Sequence, residues 1–148
     1  MLRSIDHVNI VVSDIRRSTK FFCALGFAVQ HEGELEGEWI SKIVGLDNVR
    51  ARFASLELPG AETKLELIQY HSPTSPNDSE GGMAHKLGIR HIAFRVDDLD
   101  SIHAKLCDMG IEFLSDVQSY EPTRKKLVYF YGPEGILLEL AQYGNHST

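Results

Sequence analysis

Two cysteines, no long apolar run and no excess of positive charge set the first limits on this chain of 148 residues. Cys23 and Cys107 show no CxxC spacing, which excludes a disulfide scaffold and indicates reduced thiols in a cytoplasmic protein. The longest apolar runs are strand-length, such as 8–12 interrupted by Asn9, so no helix is expected to span a bilayer. Residues 1–20 carry Asp6, Asp14 and an early histidine in place of an apolar h-region, so no secretory leader is expected. The sequon Asn77-Asp78-Ser79 then has no meaning. A net charge of −6 disfavours nucleic acid and anionic membranes as partners. What remains is ordinary for a soluble globular protein: 43% hydrophobic and 24% charged residues, enough for one domain or two small halves sharing a core.

The chain repeats itself. Residues 5–15 align with 89–99 at an offset of 84, and the register continues through Phe22/Leu106, Cys23/Cys107, Leu25/Met109 and Gly26/Gly110. Leu65-Glu66-Leu67 aligns with Leu138-Glu139-Leu140 at an offset of 73, so the first copy holds 84 − 73 = 11 more residues before its glutamate. In each copy an alternating β-branched stretch (5–12, 89–96) reads as a strand. Ser13-Asp14 and Asp97-Asp98 offer N-cap side chains for the helical apolar patterns that follow, and Gly26 and Gly110 sit at the C-terminal ends. Three further strands are expected in each copy, over 27–32, 51–58 and 64–70, and over 112–114, 127–131 and 136–142. Gly132-Pro133-Glu134-Gly135 reads as a turn between two strands. The unit is βαβββ, twice. The fold class is α+β: two tandem modules, 1–70 and 89–148, joined by a linker at 71–88 into one structural domain. A curved mixed sheet, a half-barrel, carries its helices on the convex side.

Side chains alternate across a strand, so His7 shares a face with Asn9, and His91 with Arg95. Glu66 and Glu139 each point away from the apolar faces Leu65/Leu67 and Leu138/Leu140, which belong against the helices. Two such sheets related by a pseudo-twofold would converge His7, Glu66, His91 and Glu139. Two imidazoles and two carboxylates suit one divalent metal ion (Zn, Ni, Co, Fe or Mn), with positions open for water or a small-molecule substrate. A lone histidine on a strand is ordinarily structural, and a lone glutamate between leucines is common on a half-exposed strand. The recurrence of both types at equivalent positions outweighs those readings. His31 and His103 have Ser115 and Thr19 as their counterparts and share no such symmetry. Both cysteines fall on the helical core pattern, so packing is their expected role. The insertion 33–50 reads either as a substrate-side wall carrying Trp39, the one tryptophan, or as a surface helix over 38–44 with Trp39 packed on the sheet. Arg95, Asn9 and Trp39 are the substrate-binding candidates.

The stretches IDHVNIVVSDI (5–15), GIRHIAFRVDDLD (88–100) and YGPEGILLEL (131–140), on tandem βαβββ halves, resemble the vicinal oxygen chelate superfamily, also called the glyoxalase/bleomycin resistance/dioxygenase fold. The resemblance covers residues 3–143. It implies that ligands lie on the first and last strands of each module, at His7, Glu66, His91 and Glu139. This His–Glu–His–Glu set is most similar to glyoxalase I and methylmalonyl-CoA epimerase. It implies a metal-dependent lyase or isomerase that removes a proton next to a metal-bound carbonyl by way of an enediolate or enolate. Glu139 would be the first choice of base and Glu66 the second. The resemblance also implies homodimers, with modules paired within or across chains. The alternatives are an extradiol-type dioxygenase, against which Glu66 argues, and a non-catalytic antibiotic-binding or resistance protein, against which the full ligand set argues.

Overall fold

Each half follows the strand–helix–strands order that the repeat requires. The first half runs β1 (His7–Val11), α1 (Ile15–Ala24), β2 (Ala28–Glu36), α2 (Glu38–Val44), β3 (Arg50–Glu57) and β4 (Lys64–Ser72). The second runs β5 (His91–Arg95), α3 (Leu99–Asp108), β6 (Gln118–Tyr120), β7 (Lys125–Tyr131) and β8 (Leu137–Tyr143). The computed structural model describes residues 1–76 and 83–144. The linker glycines Gly81 and Gly82, the sequon at 77–79 and His146 lie outside the described residues. The chain divides into two compact units, Met1–Asn77 and Asp78–Thr148.

Each unit is one four-stranded mixed sheet. The orders are β1-β4-β3-β2 and β5-β8-β7-β6, with the first pair of each parallel and the others antiparallel. Helix α1 begins at Asp14, whose carboxylate accepts from the Arg17 N–H at 3.0 Å; Asp98 does the same for Ser101 at the start of α3. Of each expected Ser-Asp or Asp-Asp pair, it is the second residue that caps. Both helices stop where Gly26 (φ 107°) and Gly110 (φ 77°) turn left-handed, and the next N–H closes back on the last turn. Gln69 and Gln142 complete the start of the helices. Their side-chain oxygens accept from the N–H of Ile15 and Leu99, at 3.0 and 2.8 Å. These glutamines stand three residues after Glu66 and Glu139, on the opposite face of the strand, so α1 and α3 pack on the face turned away from the glutamates.

The core follows the same parity. Phe22, Leu56 and Leu67 are fully buried in the first unit, and Leu106, Val128, Leu138 and Leu140 in the second. Each contributes about 1.5–3 kcal/mol of apolar transfer free energy. The expected positions of Cys23 and Cys107 in this core are corrected by the structure, which exposes both. The buried stripe of α1 runs through Ile15, Ser18 and Phe22, and the residue after Phe22 is turned about 100° away.

Two further expectations change. The second strand of the later half is not simply 112–114. Phe113 makes only an isolated bridge to Phe130, and the regular pairing is β6 with β7, at Gln118–Tyr120. The extra residues of the first half form α2, whose bounds match the helical alternative at 38–44. Trp39, however, is 56% exposed and is not packed on the sheet. Ile40 takes that place, in a cluster with Val49, Ala51 and Ile68, joined by Val44, Phe53 and Tyr70. Ala51 pairs with Tyr70, and Phe53 with Ile68. By alternation these residues share the face of Glu66. Helix α2 therefore walls the glutamate side of its sheet.

Candidate functional site

Parallel pairing sets the two ligand candidates of each unit side by side. On β1 and β4, Asn9 faces Glu66 and His7 faces Lys64, so His7 and Glu66 are diagonal neighbours on one face. His7 Nε2 lies 3.8 Å from Glu66 Oε1. On β5 and β8, Ala93 faces Glu139, and His91 Nε2 lies 3.1 Å from Glu139 Oε2. In both units it is Nε2 that meets the carboxylate. Within either unit, no group of three or more His, Cys, Asp or Glu side chains among the described residues is arranged to hold a metal ion.

The two pairs are held differently. The Asp6 carboxylate lies 2.7 Å from His7 Nδ1. That hydrogen bond raises the His7 pKa above its ordinary 6.5, while partial burial opposes the shift and Glu66 adds to it. Asp6 is lowered in return, chiefly through the same bond. With Nδ1 engaged, Nε2 is left to act on the Glu66 side. Asn9, a substrate-binding candidate, instead donates Nδ2 to the Glu66 carbonyl and to Glu66 Oε1, at 3.2 and 3.3 Å. It orients a carboxylate.

Glu139 is only 3% exposed, which is costly for a carboxylate without a charged partner. Lys125 supplies one, with Nζ 2.6 Å from Oε1. This contact is ionic in character: no donor meets that buried oxygen with hydrogen-bond directionality. The Glu139 carboxylate raises the Lys125 pKa above 10.5, against the opposing effect of partial burial. Tyr129, directly across from Glu139, stacks at 4.9 Å on the His91 ring. Burial raises the Tyr129 pKa, and the Glu139 charge adds to it. Tyr129 was not among the sequence candidates, and Lys125 stood there only as part of the basic run 124–126, which could meet an anionic substrate group. Their alternation along β7 was visible, but nothing local to residues 125–129 says which residue of β8 they face.

A buried carboxylate set beside an imidazole Nε2 is the donor chemistry of a divalent-ion ligand pair. The His7–Glu66 pair offers the same donors with more exposure, Glu66 retaining 30% of its side-chain surface. Arg95 lies on the His91 face, its guanidinium 5.6 Å from the Tyr143 ring centroid. Trp39 belongs to α2 itself, next to Ile40, with its side chain exposed. An open cavity of about 890 Å³ in the first unit, lined by Glu36, Ser41, Asp47 and Arg50 among others, contains neither His7 nor Glu66.

Comparison with known proteins identifies the family and the fold. The sequence profile of the Glyoxalase/Bleomycin resistance protein/Dioxygenase superfamily matches residues 4–140. The chain belongs to that superfamily. A glyoxalase family protein of Bacillus cereus has a solved structure with TM-score 0.91 and 29% identity, spanning 98% of this chain and 97% of its own. The Bacillus subtilis protein YwkD is 29% identical over 95% of this chain and 97% of its own length. A 2-epi-5-epi-valiolone epimerase of an Actinomyces species is 29% identical over 93% of this chain and 78% of its own length. The trypanothione-dependent glyoxalase I of Leishmania major shares the fold, with TM-score 0.65 at 23% identity over 95% of this chain and 87% of its own.

Proposed function

We propose that His7, Glu66, His91 and Glu139 together hold one divalent metal ion, Zn, Ni, Co, Fe or Mn, and that the protein is a lyase or isomerase of the glyoxalase or epimerase kind. The observation that carries this reading is the recurrence, at repeat-equivalent strand positions, of a histidine Nε2 set against a glutamate oxygen. The ion, when bound, supplies a Lewis acid for a substrate carbonyl oxygen, favouring loss of the proton on the adjacent carbon. The chain's own residues do the rest. His7 and His91 are fixed donors, the first locked by Asp6 and the second by its stack on Tyr129. Glu139 takes the proton on a carboxylate oxygen and returns it, with Glu66 as second choice. Tyr129 and Lys125 keep water from the Glu139 carboxylate, and Lys125 stabilises its charge before the first transfer and after the second. The epimerase among the relatives is consistent with proton removal and return at carbon.

The test is solvent-deuterium exchange into three substrates, the methylglyoxal–glutathione adduct, methylmalonyl-CoA and 2-epi-5-epi-valiolone, by zinc-, nickel- or cobalt-loaded protein. Catechol with oxygen serves as the dioxygenase arm. Glu139→Gln is expected to lower exchange by 10²-fold or more while metal remains bound. The reading is overturned if both Glu139→Gln and Glu66→Gln keep full turnover, or if catechol alone is consumed.

A further inference from the structure

The two units differ most at the corner beyond their His–Glu pairs. Three ligand-face positions correspond through the pairing registers: Val11 with Arg95, Ala51 with Lys125, and Tyr70 with Tyr143. In the first unit that corner is apolar and capped, with Ile40 of α2 packed on Ala51, Ile68 and Tyr70. Between β6 and β7 the second unit has only one exposed 3-10 turn, Glu121–Thr123, in place of a packed α-helix, and two of the three positions are cationic. Arg95 and Lys125 both stand 5.6 Å from the centroid of the same ring, Tyr143, which is itself exposed. Lys125 reaches from there to Glu139.

Lys125 is not placed as a solvated surface charge would be. Lys126, the next residue, does what such a lysine does: it points the other way and pairs with Asp100 on the surface, at 2.9 Å. Lys125 turns inward with 21% of its side chain exposed. Glu139 pairs with Lys125, and among the described residues no carboxylate lies at ion-pair distance from Arg95, so one positive charge is left over. A planar guanidinium and a mobile ammonium against one aromatic ring form a receptor for an oxyanion.

We propose that Arg95, Lys125 and Tyr143 form an oxyanion subsite of the second unit, so that the substrate is a small acid whose carboxylate or phosphoryl group lies close to its reacting carbonyl. The proposal rests on the metal-site reading for the position of the carbonyl. The anion subsite itself exists without it. Arg95 anchors the acid from the exposed side. Lys125 moves from Glu139 to the anion when that glutamate is otherwise engaged.

Amide chemical shifts of the whole labelled chain test this, during titrations with malonate, inorganic phosphate and neutral malonamide, each with EDTA and again with zinc. One or both anions should shift the amides around Arg95, Lys125 and Tyr143, while malonamide should not. The tighter of malonate and phosphate identifies the acid group. Arg95→Met and Lys125→Met should each weaken anion binding by about tenfold or more, and Lys126→Met should leave it unchanged. Arg95 is exposed, so its variant keeps the test decisive even if Lys125→Met folds poorly. Equal shifts by malonamide, anion shifts elsewhere in the chain, or unchanged affinity in Arg95→Met would each overturn the proposal. Failure of the wild type to bind zinc, with anion binding intact, would sink the metal reading alone.

Discussion

At the scale of single residues, Lys125 is the most informative side chain the structure adds. It compensates a buried carboxylate, and the elevation of its pKa states how that stabilisation depends on pH. A lysine raised in the folded state contributes stability that is fully present below its unfolded value of 10.5 and is lost as pH rises through the folded value. Lys125→Met should therefore destabilise the metal-free protein by about 2–3 kcal/mol near neutral pH, toward the lower end for a broken buried pair because Lys125 is partly exposed. The difference between wild type and variant should shrink as pH climbs past 10.5, since wild type then loses its own ammonium. Urea unfolding at a series of alkaline pH values measures both. A gap that stays constant across that range would mean that Lys125 stabilises by packing its stem, not by its charge.

At the scale of elements, the sequence and the structure agree wherever the deciding information is local. Alternation places His7 and Asn9, and Glu66 and Ile68, on common faces without knowledge of the fold, and Asp14 and Asp98 begin helices where a capping carboxylate precedes an apolar pattern. Disagreement arises where pairing decides. Residues 112–114 have strand composition, yet regular pairing with β7 falls at Gln118–Tyr120. Lys125 looks like half of a solvated Lys-Lys pair until register sets it near Glu139. Gln69 and Gln142 carry no signal as individual residues; only their shared place three residues after each glutamate marks them. Each satisfies an N–H that a helix start otherwise leaves without a partner. Gln69→Ala and Gln142→Ala should each cost about 1 kcal/mol, and the double variant about twice that, because the two bonds lie in separate units. Thermal or urea melts check the sum. A double variant that costs no more than either single would show that the two helix starts are coupled.

For the molecule as a whole, the repeat makes two His–Glu pairs, and the question is whether they act as one site. Each unit supplies one imidazole and one carboxylate, and two donors alone leave most of a divalent ion's coordination to water. If the pairs serve one ion, dialysed protein should retain about one zinc per chain, and His7→Ala or His91→Ala alone should each reduce retention to near zero. If the pairs bind separately, each variant should lose only its own half and leave the other binding as before. Elemental analysis of wild type and both variants, after dialysis against the same zinc buffer, distinguishes the outcomes. The asymmetry between the units sharpens the expectation. Glu139 is buried and already opposed by Lys125, while Glu66 is more exposed and oriented by a neutral amide. A zinc ion must displace the Lys125 charge in one unit but only the neutral Asn9 amide in the other. Lys125→Met should thus bind zinc more tightly than wild type, in spite of its lower stability, with the gain visible in competition against a chelating dye. Weaker zinc binding in that variant would place Glu139 outside the metal site and leave it as a structural ion pair.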